Sequence, residues 1–284
     1  MITVNVEKCR GCGLCAAICH EQCIVLAGRD NGAVARIDHA LCSTCTQCIA
    51  ICPRRALSWD HAESIAYDDS RLPTPGELAE LFKQRRTIRR FQPRAIDRTL
   101  VEEIIGFGIY APTNNYALRA IVVDDPTIIK TFEAVIMRFV RWMYTLFYHS
   151  DIVFRVVSAL TPAVDAKGKV KMERGLARGR VSETLPAAVV FVVGDRRILM
   201  SEASAQYALY NMILYAQARG IGSRINAGGP ITLDRSRAAR RRLGLERQEH
   251  ILATLELGYP AVRFRNKVEG KTMPIAWKGQ SIDA

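Results

Sequence analysis

The chain has 284 residues, 49% hydrophobic and 24% charged, and a formal net charge of +12. These are globular proportions that argue against disorder, and the length leaves room for one large domain, or a large one with a small one. All nine cysteines fall in the first 52 residues, so two modules of different chemistry are expected. Their odd number, and a Met1 that leads straight into the strand-like ITVNV without a basic, apolar leader, argue against a disulfide framework. They favour metal-bound thiolates in a reduced, cytoplasmic setting.

Behind ITVNV stands CRGCGLCAAICHEQC (Cys9–Cys23), and behind the strand-like ARID stands CSTCTQCIAICP (Cys42–Pro53). Both runs follow C-x2-C-x2-C-x3-C, a spacing that suits iron–sulfur cubanes and differs from paired structural-zinc knuckles. Gly11 and Gly13 allow the first loop its sharp turns and close backbone approach. Two residues stand out. His20 occupies a place where its counterpart is Pro53, and Cys23 is a fifth sulfur in a motif complete with four. Cys23 reads as a small buried hydrophobe, with a changed cluster ligand or a redox-sensitive thiol as alternatives. His20 reads as a hydrogen-bond donor beside the cluster or a surface residue.

Over roughly residues 1–60 the sequence resembles a bacterial-type two-cluster ferredoxin, with ITVNVEKCRGCGLC and ARIDHALCSTCTQC carrying the likeness. That resemblance implies two 4Fe–4S clusters. It assigns Cys9, Cys12, Cys15 and Cys52 to one, and Cys42, Cys45, Cys48 and Cys19 to the other.

Residues 61–74 lose hydrophobic periodicity and read as a linker to a second module, residues 75–284. There TPGELAELFKQRR predicts a helix with Thr74 as N-cap, Pro75 in the first turn, Glu77 closing a capping box, and Leu78, Leu81 and Phe82 as its buried face. A second helix is expected from Asp97 through LVEEIIGFGIY. AIVVDD (120–125), AAVVFVVGD (187–195) and ILATLELG (251–258) read as strands, and SEASAQYALYNMILYAQARG (201–220) as a long helix closed by Gly220. Interspersed strands and helices indicate an α+β fold. The stretch at 131–154 is apolar but broken by Arg138, Arg141 and His149, so no membrane span is expected.

Arg85, Arg86 and Arg89 with the hydroxyl of Thr87, in QRRTIRRF, make a compact anion site. This segment resembles the start of the FMN-dependent nitroreductase family, a helix followed by R-R-S-x-R-x-F. GIYAPTNN (108–115), SETLPAAVVFVVGD, AQYALYNMILYAQARGIGS (205–223) and LELGYP (255–260) are similar to later motifs of that family, in its order. The resemblance implies a sandwich built on a mainly antiparallel sheet flanked by helices, a bound FMN, and a homodimer whose long helix lies at the interface. It carries Arg85, Arg86, Thr87 and Lys271 over as phosphate contacts, and Arg89 with the same cluster. Pro112, Thr113, Asn114 and Asn115 become the loop along the flavin, and Ala227 and Gly228 of INAGGP the amides near its N5. Two departures are Arg119, in place of an apolar neighbour, and a long aromatic insertion at 130–180. The insertion reads as core and dimer packing or as a cap over the flavin. A dinucleotide fingerprint of the G-x-G-x-x-G type is missing after the first strand.

Together the two likenesses imply an oxidoreductase that passes electrons from two clusters to FMN and on to a nitro compound, quinone or activated alkene. The basic runs at 85–90, 167–180 and 235–242 read as solvated helix faces with a few phosphate contacts, or as a face for an acidic external donor, a low-potential ferredoxin or flavodoxin. No nucleic-acid partner is expected, because no recognition motif accompanies the charge. The alternatives are an NAD(P)H-dependent flavin oxidoreductase using the clusters as electron exit, and an electron-transfer module or redox sensor serving a protein partner.

Overall fold

The structure, a computed structural model, describes residues 1–29, 32–112, 117–161, 164–180, 183–270 and 272–278. The N-terminal part holds β1 (Ile2–Val4), α1 (Leu14–Ile18), β2 (Ile24–Arg29), β3 (Gly32–Ile37), α2 (Gln47–Ile51) and β4 (Leu57–Trp59). β1 pairs antiparallel with β4, and β2 with β3. Ile2, Ile24, Ala35 and Leu57 are buried together with Cys15, Cys23 and Cys48.

Each short helix here begins at a left-handed residue, Gly13 (φ 78°) or Thr46 (φ 63°), and ends at an extended cysteine, Cys19 (φ −72°, ψ 107°) or Cys52 (φ −74°, ψ 109°). The doubled motif is therefore doubled geometry. Gly11 also has a positive φ, and a Cβ there would lie 2.3 Å from the Ala33 carbonyl oxygen. Only glycine fits.

After an exposed stretch come α3 (Pro75–Gln84) and α4 (Arg98–Gly106), the latter prolonged by a 3-10 turn over Phe107–Tyr110. β5 (Leu118–Val123) leads into three helices, α5 (Pro126–Phe147), α6 (Asp151–Leu160) and α7 (Ala166–Arg178). β6 (Ala188–Asp195), α8 (Ser201–Ala218), β7 (Gly222–Ile225), α9 (Gly228–Ile231), α10 (Arg237–Arg242) and β8 (Glu249–Gly258) complete the chain order. Among the described residues no helix is long and apolar enough to cross a membrane.

The four strands form an antiparallel sheet in the order β5-β6-β8-β7. Strand side chains alternate between faces. Ala188, Val190 and Val192, with Leu255 and Leu257, pack with Val101 and Ile104 of α4 and with α8. Val189, Phe191 and Val193, with Ile251, pack against Ile129, Phe132 and Ile136 of α5 and Ala239 of α10. Helices cover both faces, which is why β6 reads as one unbroken apolar run instead of an alternating one. The expected α+β sandwich is the observed fold.

Thr74 caps α3 as expected. Its Oγ1 accepts from the Glu77 N–H at 3.3 Å, and the Glu77 carboxylate accepts from the Thr74 N–H at 2.8 Å. The helix does not bury the predicted face, however: Leu78 and Phe82 are 40% and 44% exposed. α3 rests on α8, where Gln217 donates to the Leu81 carbonyl at 2.9 Å, and its Glu80 and Lys83 pair with Lys267 and Glu269 of the C-terminal segment.

Candidate functional site

The eight ligand-candidate cysteines gather around α1 and α2. Cys15 and Cys48 are buried, Cys12 and Cys45 exposed, and the other four half-buried. Burial pushes the Cys48 thiol up to about 11, with the charges of Cys45, Cys42 and Cys15 adding. Burial likewise raises Cys15, beside Cys9 and Cys12. These thiols resist joint ionisation without a counter-charge, and a cationic cluster supplies one, since the ligand is the thiolate.

Backbone amides are aimed at the sulfurs: Thr44 N–H at Cys42 Sγ, 3.4 Å, and Ala56 N–H at Cys52 Sγ, 3.3 Å. Among the described residues no three His, Cys, Asp or Glu converge on a single-ion site. A cubane needs no such convergence, because each thiolate binds a different iron. The residues fit a pair of such clusters. Cys23 is buried, 3.4 Å from Cys19 Sγ, and burial, with Cys19 and Cys42 beside it, pushes its thiol up to about 12.

The second site is a cavity of about 500 Å3 in the larger part of the chain. Its position follows from how RRTIRRF is anchored. Ile88 N–H donates to the Ser223 carbonyl at 2.9 Å, Gln92 N–H to that of Tyr259 at 2.8 Å, and Phe91 is buried against Gly258. On either side of Ile88, Thr87 and Arg89 reach the cavity wall. Residues 224–228 form the next part of the wall, and α5 and α7 contribute Met137, Phe139, Lys171 and Arg178.

Of the sequence-predicted residues, Thr87, Arg89, Ala227 and Gly228 come together at this cavity. Arg85, Arg86 and Pro112 are not brought to its wall. Arg86 instead donates to the carbonyls of Lys83 and Arg85, at 2.7 and 2.8 Å, at the C-terminal end of α3, where a cation meets the negative end of the helix dipole. Thr113, Asn114, Asn115 and Lys271 lie outside the described residues. Arg119 is held on the far end of β5 by Glu249, in a two-pronged ion pair of 2.5 and 2.6 Å.

The cavity wall also holds Lys171, Arg178 and Arg180, from a basic run that the sequence does not tie to this site, and Arg224 and Asn226, which sequence reasoning did not single out. Together with Arg89 the wall carries, among the described residues, five cationic side chains and no carboxylate. Apolar groups of α5 stand opposite. A lone charged residue inside an apolar strand, such as Glu256 of ILATLELG, was the available signal. Glu256 is buried, lies directly across the ladder from Arg224, and forms an ion pair with it.

The turn beyond Arg224 is tightly packed. Asn226 N–H donates to the Thr254 carbonyl at 3.0 Å. A Cβ on Gly229 would lie 2.0 Å from Thr254 Oγ1. An anionic, partly aromatic ligand matches a cavity with this charge and these walls.

Residues 82–259, more than half of the chain, match the model of the nitroreductase family, and residues 8–56 match that of a 4Fe-4S dicluster domain. Solved structures with a similar fold include an oxidised iodotyrosine deiodinase bound to FMN and 3-iodo-L-tyrosine. It is 17% identical over 71% of this chain and 99% of that one, with a TM-score of 0.54. An FMN-bound nitroreductase from Desulfitobacterium hafniense DCB-2 is 17% identical over 70% of this chain and 97% of its own, with a TM-score of 0.53. One from Bacteroides fragilis NCTC 9343, also with bound FMN, is 21% identical over 71% and 99%, with a TM-score of 0.50. At these identities the likeness is one of fold.

Proposed function

Given that the chain belongs to the nitroreductase family and carries a 4Fe-4S dicluster domain ahead of that region, we propose that it is a ferredoxin-coupled, FMN-dependent oxidoreductase. It passes electrons from two 4Fe–4S clusters to FMN and on to a small organic acceptor such as a nitro compound, quinone or activated alkene. The observation that carries this reading is the cavity beside Thr87 and Arg89, whose wall holds, among the described residues, five cationic side chains and no carboxylate. Such a wall suits a flavin with a dianionic phosphate and a ring that becomes electron-rich on reduction.

Cys9, Cys12, Cys15 and Cys52 hold one cluster, and Cys42, Cys45, Cys48 and Cys19 the other. Thr87 and Arg89, which line the cavity, serve the flavin phosphate. The Ala227–Gly228 turn, on the same cavity wall, faces the ring. When bound, the clusters supply one-electron transfer and the flavin collects two electrons for delivery to the acceptor.

The chain's own contribution is position and environment. Amides near Cys42 and Cys52 stabilise thiolate charge. Cationic residues of α7 favour the electron-rich state of their ligand. Phe139, Val140 and Met172 give the cavity an apolar side that excludes water and receives a flat acceptor. The exposed faces of α3 and α8 are where two copies meet as a homodimer.

Anaerobic purification followed by metal, sulfide and flavin analysis tests this function. About eight irons and one FMN per chain are expected, and zinc, or a protein that binds no flavin, would refute it. The expected donor is reduced ferredoxin, not NADH, in anaerobic assays that follow bleaching of the flavin and then its reoxidation by candidate acceptors.

A further inference from the structure

The cavity wall contributed by β7 is backed by one carboxylate that uses both of its oxygens. Glu256, 3% exposed near the C-terminal end of β8, forms an ion pair through Oε2 with Arg224, its partner across the ladder. Its Oε1 accepts from Asn226 Nδ2 at 2.5 Å. Asn226 Oδ1 in turn accepts from the Gly228 N–H at 2.8 Å. Arg224, Asn226 and Gly228 line the cavity, whereas Glu256 stands behind them.

We infer that Glu256 is a positioning residue that holds down the reduction potential of the group bound in this cavity, acting through Arg224 and Asn226. The inference rests on the flavin reading above. A buried arginine facing a redox group favours the reduced, more negative state, and pairing it with a buried carboxylate cancels most of that effect. The Asn226 link keeps the Gly228 amide committed inside the protein, so the turn presents a fixed surface whichever redox state is bound. The pair is also a poor candidate for stability alone. Two charges removed from water seldom outperform a well-packed apolar pair, and this one sits at the edge of a cavity.

The test is the two-electron midpoint potential of FMN bound to the full-length protein, measured with FMN affinity and thermal melting for each variant. Glu256→Gln removes the buried negative charge paired with the Arg224 cation and is expected to raise the potential by a tenfold change in the equilibrium constant, about 30 mV. Arg224→Met leaves the carboxylate uncompensated and is expected to lower it by a similar factor. The double variant removes both charges and is expected to stay within threefold of the parent.

Opposite signs are the signature, because mere loosening of the turn would move both single variants the same way. If one single variant fails to fold, the other decides by its sign. If both fail, a double variant shifted by tenfold or more overturns the inference, and one within threefold supports it. FMN bound with the same potential in the parent and either single variant overturns it and leaves the flavin reading standing. A parent protein that binds no FMN overturns both.

Discussion

Cys23 and Ala56 occupy the same place in the two halves of the N-terminal module. Each follows the last cysteine of its run by four residues, and each comes directly after a residue of positive φ, Gln22 at 50° and Arg55 at 49°. Both are buried, at 4% and 2% exposure. The surplus sulfur thus stands where its repeat does without one. Cys23→Ala is expected to keep the full iron and sulfide content, at a cost of about 1 kcal/mol for the smaller side chain. Cys19→Ala is expected to lose a cluster. Iron loss in the Cys23 variant would make Cys23 a ligand and Cys19 its neighbour.

Much of this was legible beforehand, and for physical reasons. Cysteine spacing is a local property, so Cys9 to Cys52 announced their chemistry in one dimension. The capping box of Thr74 and Glu77 is equally local, and the apolar run Ala188–Val193 could be only a strand covered on both faces. The cavity is different. Arg224 and Glu256 lie far apart in the chain and meet only because β7 pairs with β8 in one register. Lys171 and Arg178 arrive on a helix whose basic residues look, in sequence, like a solvated face. The outward face of α3 was misread because its periodicity specifies an apolar stripe but not what covers it.

Arg119 and Glu249 tie β5 to the start of β8, and their contribution depends on pH. The Arg119 guanidinium, with help from the Glu246 N–H, holds the Glu249 carboxyl below the usual carboxylate range. A depressed folded value means that the stabilisation is complete above the unfolded pKa of about 4.3 and is lost as pH falls through the lower, folded value. Arg119→Met should therefore be less stable than the parent at pH 7, and the gap should close toward pH 3. Urea midpoints of both proteins across that range check it. A gap that persists in acid would mean that packing of the arginine stem, not charge, is what the substitution removes.

Two glycines make a matched pair of opposite expectation. Gly229→Ala would put a methyl 2.0 Å from Thr254 Oγ1, on a central strand that cannot retreat. Overpacking of this kind costs about 1–3 kcal/mol, and the displaced Asn226–Gly228 turn should release FMN more readily. Gly76→Ala, in the first turn of α3, meets nothing within 4 Å. It should be neutral or stabilise by up to about 1 kcal/mol. Thermal melting with flavin retained after gel filtration separates the two.

The outward surface of α3 and α8 carries Leu78, Phe82, Tyr207 and Tyr210, each at least 40% exposed. Tyr215, also on α8, stacks on Phe107 with ring centroids 3.6 Å apart. An apolar surface of this kind on adjoining helices is costly to leave in water and marks an interface. The homodimer proposed above covers it with the same surface of a second copy, so a change at one residue acts twice across a two-fold axis. Phe82→Glu and Tyr210→Glu should each place two like charges in that interface and shift the protein to monomer in light scattering. Because α3 leads directly into the loop of Thr87 and Arg89, the monomer should also lose flavin, while its cluster content stays unchanged. A variant that remains dimeric would place the interface on another face, and one that turns monomeric with full flavin would make the cavity complete within a single chain.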